Sequence, residues 1–195
     1  MRGGALSIAL VASTALLGGC ATAHETTSPQ DQFVARLKAH CGKAYAGRVV
    51  STDAADADMR GQMLIMHVRG CHADRVEIPF HVGTDRSRTW IVTRTNTGLR
   101  LKHDHRHEDG SADAVTFYGG DTADAGSATR QSFPVDAESI ASFRANKLDA
   151  SVTNIWAMEV NDDSFAYELR RANRFFRVEF DLTKPVAPPP TPWGW

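Results

Sequence analysis

Short segments in which apolar and polar residues alternate are the feature that most constrains how this chain can fold. The clearest follow one another as SVTNIWAMEV, SFAYELRRA and RFFRVEFDL, separated only by the turns NDD and AN. Because successive side chains of a strand point to opposite faces, this period of two predicts strands that each have one apolar face. Turns this short join antiparallel strands, since parallel strands need a long crossover connection.

The same alternation occurs upstream in QMLIMHVRG, DRVEIPFHV, SRTWIVTRT and GLRLKHDHRH, and DAVTFYGG and GSATRQSF are strand-like as well. These segments predict a mainly β fold, an antiparallel β-barrel or barrel-like sheet of about 8–10 strands, because closure removes exposed strand edges. In strand pattern this resembles the lipocalin and avidin class. A two-sheet β-sandwich is the alternative, since it also buries one face of every strand.

Two short segments have a helical period instead. SPQDQFVARLKAHCG begins with Ser28 as a capping residue and Pro29 in the first helical position. DAESIASFRANKL begins with Asp136 as its cap. The residues of this second helix that are predicted to point inward are Ile140, Phe143 and Leu148.

The N-terminal segment MRGGALSIALVASTALLGGC has the pattern of a secretory signal. Arg2 is its only charged residue, and its apolar run, residues 5–17, is too short to span a membrane. The ending LGGC resembles the lipobox of bacterial lipoproteins, and the resemblance implies cleavage before Cys20 and acylation of Cys20. Because Ala21 rather than an aspartate follows, it also implies an outer-membrane anchor with the protein facing the periplasm. An ordinary signal peptide with an incidental cysteine is the alternative.

This pattern divides the chain into a signal peptide at 1–19, a lipidated cysteine and polar tether at 20–27, and a single β-rich domain at 28–183. The remaining residues, 184–195, are dense in proline and predict a polyproline-type extension. We expect a disordered tail. The alternative is that its tryptophans, Trp193 and Trp195, dock back on the domain or contact a partner.

The remaining cysteines and the charge limit the function further. In an oxidising compartment Cys41 and Cys71 are expected to form a disulfide with each other. A catalytic cysteine is the alternative, and its only support is that a histidine is adjacent to each cysteine. The formal net charge is −1 and no block of lysine and arginine occurs, so a nucleic-acid partner is not predicted.

The segment GLRLKHDHRHEDG contains the best candidate site residues. On a regular strand the residues of one face would be Leu99, Leu101, His103, His105 and His107. The residues of the other face would be Arg100, Lys102, Asp104, Arg106 and Glu108, and their charges predict that this face is exposed to solvent. The histidines therefore continue the inward face toward one end of the barrel.

Three interpretations of these histidines remain open. They could be half-exposed residues at the barrel rim. They could bind a small or lipidic ligand, with His103 and His105 joined by Trp90, Trp156 and Tyr167. They could also form a transition-metal site, for example for zinc, because two imidazoles separated by one residue on a strand are close enough to share a metal. The ligands of that site would be His103, His105 and His107.

The sequence therefore predicts a lipid-anchored cell-envelope protein, non-enzymatic, whose barrel binds a small or lipidic molecule. No catalytic residue is assigned, and no resident cofactor is predicted outside the possible metal. One alternative is a metal-binding protein or metal-dependent hydrolase that uses the histidines. The other is a structural or assembly lipoprotein that acts through its surface. The predicted partners are the membrane, through the anchor, and the ligand.

Overall fold

The computed structural model describes residues 1, 3 and 27–195. The predicted signal peptide, the predicted lipidation site Cys20 and nearly all of the tether lie outside the described residues. In the part of the chain that is described, no helix is both long enough and apolar enough to cross a membrane.

Eleven strands, three short α-helices and two 3-10 turns make up the described chain. The strands are β1 Ala44–Val49, β2 Leu64–His67, β3 Gly70–Cys71, β4 Arg75–Val82, β5 Asp85–Arg94, β6 Leu99–His105, β7 Tyr118–Asp121, β8 Arg130–Pro134, β9 Ile155–Val160, β10 Ser164–Arg171 and β11 Arg174–Val186. The helices are α1 Pro29–Lys38, α2 Ala57–Arg60 and α3 Ala137–Ala145, and the 3-10 turns are Ala54–Asp56 and Asp149–Ser151.

The strands form a nearly closed antiparallel barrel, which confirms the predicted fold over the sandwich alternative. Their order around the sheet is β7-β6-β5-β4-β2-β1-β11-β10-β9-β8, and the two-residue β3 pairs with β4 outside this path. Every pair of neighbours is antiparallel. Consecutive turns therefore alternate between the two ends of the barrel.

The barrel closes where β7 meets the segment that leads from β8 into α3. The backbone N–H of Asp136 donates to the carbonyl oxygen of Gly119 at 2.9 Å, and Gly119 N–H donates to Ser139 Oγ at 2.7 Å. A Cβ at Gly120 would overlap the carbonyl oxygen of Pro134, so only glycine allows this approach. The paired glycines are thus part of the closure.

Helix α1 covers one end of the barrel, here called the plugged end. The Ser28 side chain caps α1 by accepting from the N–H of Asp31, as the sequence predicts. Asp31 also pairs with Arg94, at the end of β5, at 2.6 Å, and Arg36 reaches Asp162, in the β9–β10 turn, at 2.6 Å. These contacts fix α1 across strand ends that lie opposite the histidine end of β6.

Inward faces assigned from the sequence pack as one core. The interior of the barrel between α1 and the histidine end is filled by large side chains. The largest fully buried ones are Trp90, Trp156, Tyr45, Phe33, Phe133, Phe165 and Phe180. The predicted disulfide is confirmed, because Cys41 and Cys71 are bonded with their Cα atoms 6.2 Å apart. It links the end of the α1 segment to β3.

For two residues the burial predicted from periodicity is wrong. Asp104, assigned to the solvent face of β6, is only 1% exposed, because Arg106, Thr116 and the indole of Trp195 all donate to its carboxylate. Leu148, predicted to point inward with α3, is 41% exposed, since the helix ends at Ala145 and Leu148 lies in the following turn.

The proline-rich tail docks on the outside of the barrel. β11 continues to Val186, beyond the predicted domain end, and the chain then crosses to β5 and β6. The N–H of Trp193 donates to the carbonyl oxygen of Arg86 at 3.1 Å, and Arg86 in turn donates to the carbonyl oxygen of Thr191 at 3.0 Å. At its end, Trp195 Nε1 donates to Asp104 Oδ2 at 3.0 Å. The expectation of a disordered tail is therefore replaced by the docked alternative.

Candidate functional site

Two adjoining cavities lie at the end of the barrel opposite α1, here called the mouth. The inner cavity has a volume of about 160 Å³ and the outer cavity about 310 Å³. The two cavities share four wall residues, which therefore form the boundary between them. They are His105, Tyr118, Tyr167 and Leu169. The core thus leaves space at the mouth, whereas the plugged end is filled.

The inner cavity has mainly aromatic walls. Trp90 stacks on Phe80 with ring centroids 4.8 Å apart and on Tyr167 with centroids 4.4 Å apart. Tyr118 and Phe176 extend this wall toward the mouth. These ring-bearing residues come from six strands, each of which contributes one inward-facing side chain near the mouth. The strands are β4, β5, β6, β7, β10 and β11, with His103 counted for β6.

The structure distributes the five predicted ligand-binding residues over both cavities. Trp90 and His103 line the inner cavity, Trp156 lines the outer one, and His105 and Tyr167 line both. Residues predicted from strand parity alone are therefore brought together at one end of the barrel. His107 lies beyond the end of β6 and is exposed.

Hydrogen bonds to both ring nitrogens lock His103 in place. Its Nδ1 lies 3.0 Å from the carbonyl oxygen of Tyr118, and since a carbonyl oxygen only accepts, Nδ1 carries the proton. The unprotonated Nε2 then accepts from the hydroxyl of Tyr167 at 2.8 Å. Burial lowers the pKa of His103 to about 4, so the ring is neutral at pH 7. His103 is a buried structural part of the cavity wall.

A metal site built from the three histidines does not assemble in the described residues. In residues 27–195 no group of three or more His, Cys, Asp or Glu side chains could hold a metal ion. Both nitrogens of His103 already have partners, and His107 is outside the cavities. His105 lines both cavities, and its Nδ1 is buried without a hydrogen bond among the described residues.

His105 has the unpaired polar atom of the site. Its Nδ1 is buried without a hydrogen-bond partner among the described residues, and the nearest carboxylate oxygen, Asp113 Oδ2, is 3.6 Å away. Burial, and secondly the positive charge of Arg88, lower the pKa of His105, so its ring is neutral at pH 7. A buried polar atom without a partner costs free energy, and a ligand or water that bonds to it removes that cost.

Arg88 is a cavity residue that sequence reasoning missed. It lies directly opposite His105 in the β5–β6 pairing and lines the inner cavity. Its Nη1 lies 2.7 Å from Asp85 Oδ2 but makes no hydrogen bond of good geometry in the described chain. The alternation in SRTWIVTRT puts Arg88 on the same face as Trp90, so parity could have found it.

Arg174 and Asp56 form a second missed pair at the inner cavity. Asp56 is 3% exposed and receives both terminal nitrogens of Arg174, while Asp53 is 3.2 Å from the same guanidinium. The two carboxylates come from the β1–β2 connection and the arginine from β11, so no local pattern in the sequence links them. The positive charge of Arg174 and the negative charge of Asp56 therefore compensate each other.

Exposed apolar side chains surround the mouth. Among the described residues, five of the exposed large hydrophobic side chains belong to segments that begin or end at this end of the barrel. They are Met63, Phe117, Leu148, Ile155 and Phe175. Leu148 also lines the outer cavity, so the apolar rim continues into the site.

Comparison with known proteins adds no relative to this description. No protein-family model, no curated protein and no solved structure matches the chain. Its function is therefore argued from the two cavities and the groups that line them.

Proposed function

We propose that this protein is a non-enzymatic, lipid-anchored envelope protein whose barrel binds a small organic molecule at its mouth. The observation that carries the proposal is the pair of adjoining cavities, which share His105, a residue whose Nδ1 is buried and unpaired among the described residues. Binding pockets for small molecules are mostly apolar cavities with a few polar groups that fix orientation. The inner cavity, with aromatic walls and a few polar groups, has this composition.

The arrangement of the polar groups supports binding over metal-assisted hydrolysis. His103 is held by Tyr118 and Tyr167, so a proton transfer at its ring would break a buried hydrogen bond. His105 is neutral and partly exposed, with one free nitrogen, which suits a hydrogen bond to a ligand. The metal-binding alternative requires a ligand set that residues 27–195 do not bring together.

We place the proposed anchor on the side of the molecule opposite the cavities. Thr27 and Ser28, the described residues that immediately precede α1, lead into the helix that covers the plugged end. A lipid on Cys20 would therefore hold the molecule from the plugged side. The mouth, with its apolar rim, would open away from the attachment point, within the range that a short polar tether allows.

Native mass spectrometry on the full chain, expressed without a histidine tag and purified from a bacterial envelope, tests the ligand proposal. We expect an added mass of a small organic molecule that is lost on mild denaturation. Leu169→Trp, which fills the wall common to both cavities, should abolish the added mass, whereas Val186→Trp, at an exposed site on β11, should retain it. An added mass equal to a transition metal, or an organic mass unaffected by Leu169→Trp, would refute the proposal.

The anchor is tested separately by metabolic labelling with an alkyne-bearing fatty acid. We expect label on the unmodified chain and its loss in Cys20→Ser, with release of the protein from the membrane fraction. The matched control is Ser7→Ala, a change within the predicted signal that leaves the cysteine intact. Equal labelling of the unmodified chain and Cys20→Ser would exclude acylation at Cys20.

A further inference from the structure

We infer that the ligand of the mouth is a small aromatic carboxylate, whose ring enters the inner cavity and whose carboxylate is bound by Arg88. This inference rests on the proposed function, because it names the chemical class of the molecule that the same cavities would hold. It adds Arg88 as the residue that determines specificity. The sequence predicted a small or a lipidic ligand, and this inference selects the small one.

The size and walls of the inner cavity indicate an aromatic ring. Its volume of about 160 Å³ is close to that of an apolar cavity of about 150 Å³ that is known to bind benzene. Trp90, Tyr118, Tyr167 and Phe176 supply flat faces around it, and Phe80 stacks behind Trp90. Offset stacking and edge-to-face contacts with such faces favour a planar ring over a flexible alkyl chain.

The charged groups that line the inner cavity indicate whether its ligand is an anion or a cation. Aromatic walls alone would also suit an organic cation, through cation–π attraction. The inner cavity, however, is lined by two arginines, Arg88 and Arg174, and one carboxylate, Asp56. Asp56 is occupied by both terminal nitrogens of Arg174, so it has little capacity left for a cationic ligand. Arg88 also has a carboxylate neighbour, Asp85, but its Nη1 makes no hydrogen bond of good geometry in the described chain. Of the charged groups that line the cavity, Arg88 is therefore the one with donors left for a ligand, and those donors suit an anion rather than a cation.

Arg88 lines the inner cavity and has unused hydrogen-bond donors. A guanidinium has five N–H donors in a planar fork that matches a carboxylate. Arg88 has one ion-pair partner, Asp85, which is 36% exposed at its side chain, and Nη1 makes no hydrogen bond within the described chain. His105, which lies directly opposite Arg88 on the neighbouring strand, also has a ring nitrogen, Nδ1, without a hydrogen bond. A ligand carboxylate at this position would meet Arg88 on one side and the His105 ring on the other.

The ionisation of the neighbouring groups agrees with this geometry. Burial raises the pKa of Tyr118 to about 12, and Arg88 opposes that rise. Burial lowers the pKa of His105, and Arg88 lowers it further. Both groups are thus uncharged at pH 7 and within electrostatic reach of Arg88, so the guanidinium is the charged partner available to an anion. Tyr118 remains a hydroxyl that can donate to the same carboxylate.

Matched pairs of neutral and anionic probes test the inference on the unmodified full chain. We would compare benzoate with benzamide, and cinnamate with cinnamamide, by ligand-observed NMR and by quenching of tryptophan fluorescence, because Trp90 forms the cavity wall. We expect each carboxylate to bind at least about tenfold more tightly than its amide, the gain typical of a charge-assisted hydrogen bond. Amides that bind as well as carboxylates would overturn the inference and leave the proposed function standing.

Variants then assign the effect to Arg88. Arg88→Gln should weaken benzoate binding by about tenfold or more and leave benzamide binding unchanged, whereas Arg88→Lys should restore part of the affinity for benzoate. Arg100→Gln is the control, because Arg100 is also paired with an aspartate, Asp121, but lies on the outer face of β6. Near-ultraviolet circular dichroism checks that each variant is folded. Equal loss in Arg88→Gln and Arg100→Gln would overturn the assignment.

Failure of the inference can be told apart from failure of the proposed function. If neither probe series binds, but Leu169→Trp removes an organic mass from the protein isolated from the envelope, the mouth binds a molecule of another class and the inference is wrong. If no probe binds and no organic mass is found, both are wrong.

Discussion

Protonation of the buried His103 is expected to contribute a measurable part of the acid sensitivity of this barrel. His103 is 6% exposed, and its burial lowers the pKa from 6.5 to about 4. The folded state therefore binds fewer protons than the unfolded state between these two values. The stability that neutral His103 contributes is complete above pH 6.5, and it is lost as the pH falls through this window toward 4.

The size of the effect follows from the two pKa values. A difference between 6.5 and about 4 corresponds to about 3 kcal/mol when the pH has fallen well below the lower value. Integrated only from pH 7 to pH 5, it amounts to about 2 kcal/mol. His81, 3% exposed on β4, has its pKa lowered to about 4 by burial and by Arg86, and it adds a loss of the same sign. A variant at His103 should therefore remove one part of the total pH dependence.

Urea unfolding of the full chain at pH 5, 6 and 7 measures this dependence. His103→Gln keeps one donor toward Tyr118 and one acceptor toward Tyr167, so it is expected to fold while losing the titrating group. Between pH 7 and pH 5 its free energy of unfolding should fall by about 2 kcal/mol less than that of the unmodified chain. His107→Gln, the same change at an exposed position, should retain the full pH dependence. Identical pH dependence in the unmodified chain and His103→Gln would refute the reasoning.

Three further predictions concern single contacts. Tyr167→Phe should lower the free energy of unfolding by about 1–3 kcal/mol, measured in urea, because it leaves His103 Nε2 buried without a donor. Reduction of the Cys41–Cys71 disulfide, which closes a loop with a sequence separation of 30, should cost about 3–4 kcal/mol in thermal unfolding, and Cys41→Ser plus Cys71→Ser should be insensitive to reductant. Trp195→Phe should cost about 1–3 kcal/mol, since it removes a donor to the buried carboxylate of Asp104, and unchanged stability would show that the tail docks without this bond.

Local patterns were sufficient for most of the fold. Alternation of apolar and polar residues was enough to assign the inward faces of four strands, because in each of them the apolar residues share one face. The strands are β4, β5, β10 and β11. Capping residues gave the start of α1 and α3, since Ser28 and Asp136 each accept the expected backbone N–H. The disulfide followed from the number of cysteines left after Cys20.

Contacts between distant segments could not be obtained this way. Asp104 is outward by parity, as predicted, yet it is buried because the last residue of the chain crosses over it. The pairing of β1 with β11, which joins the two halves of the strand order, was also not predictable, since no local pattern names the partner of a strand. Arg174 and Asp56 are far apart in the chain and meet only because β1 and β11 are neighbours. Contacts between residues so far apart in the chain produce no periodic pattern in the sequence, so they cannot be predicted from it.

The difference between the two ends of the barrel indicates from which side a ligand would reach the cavities. Filling of the plugged end by α1 and by aromatic side chains leaves the mouth as the route to the cavities among the described residues. If Cys20 carries the proposed lipid, the attachment precedes α1 in the chain, and we propose that the mouth then faces the aqueous side and not the leaflet that holds the anchor. A lipid taken from that leaflet would have to travel around the barrel, whereas a small aromatic carboxylate is soluble in water and reaches the mouth by diffusion. The proposed position of the anchor and the charge of Arg88 favour the same class of ligand for independent reasons.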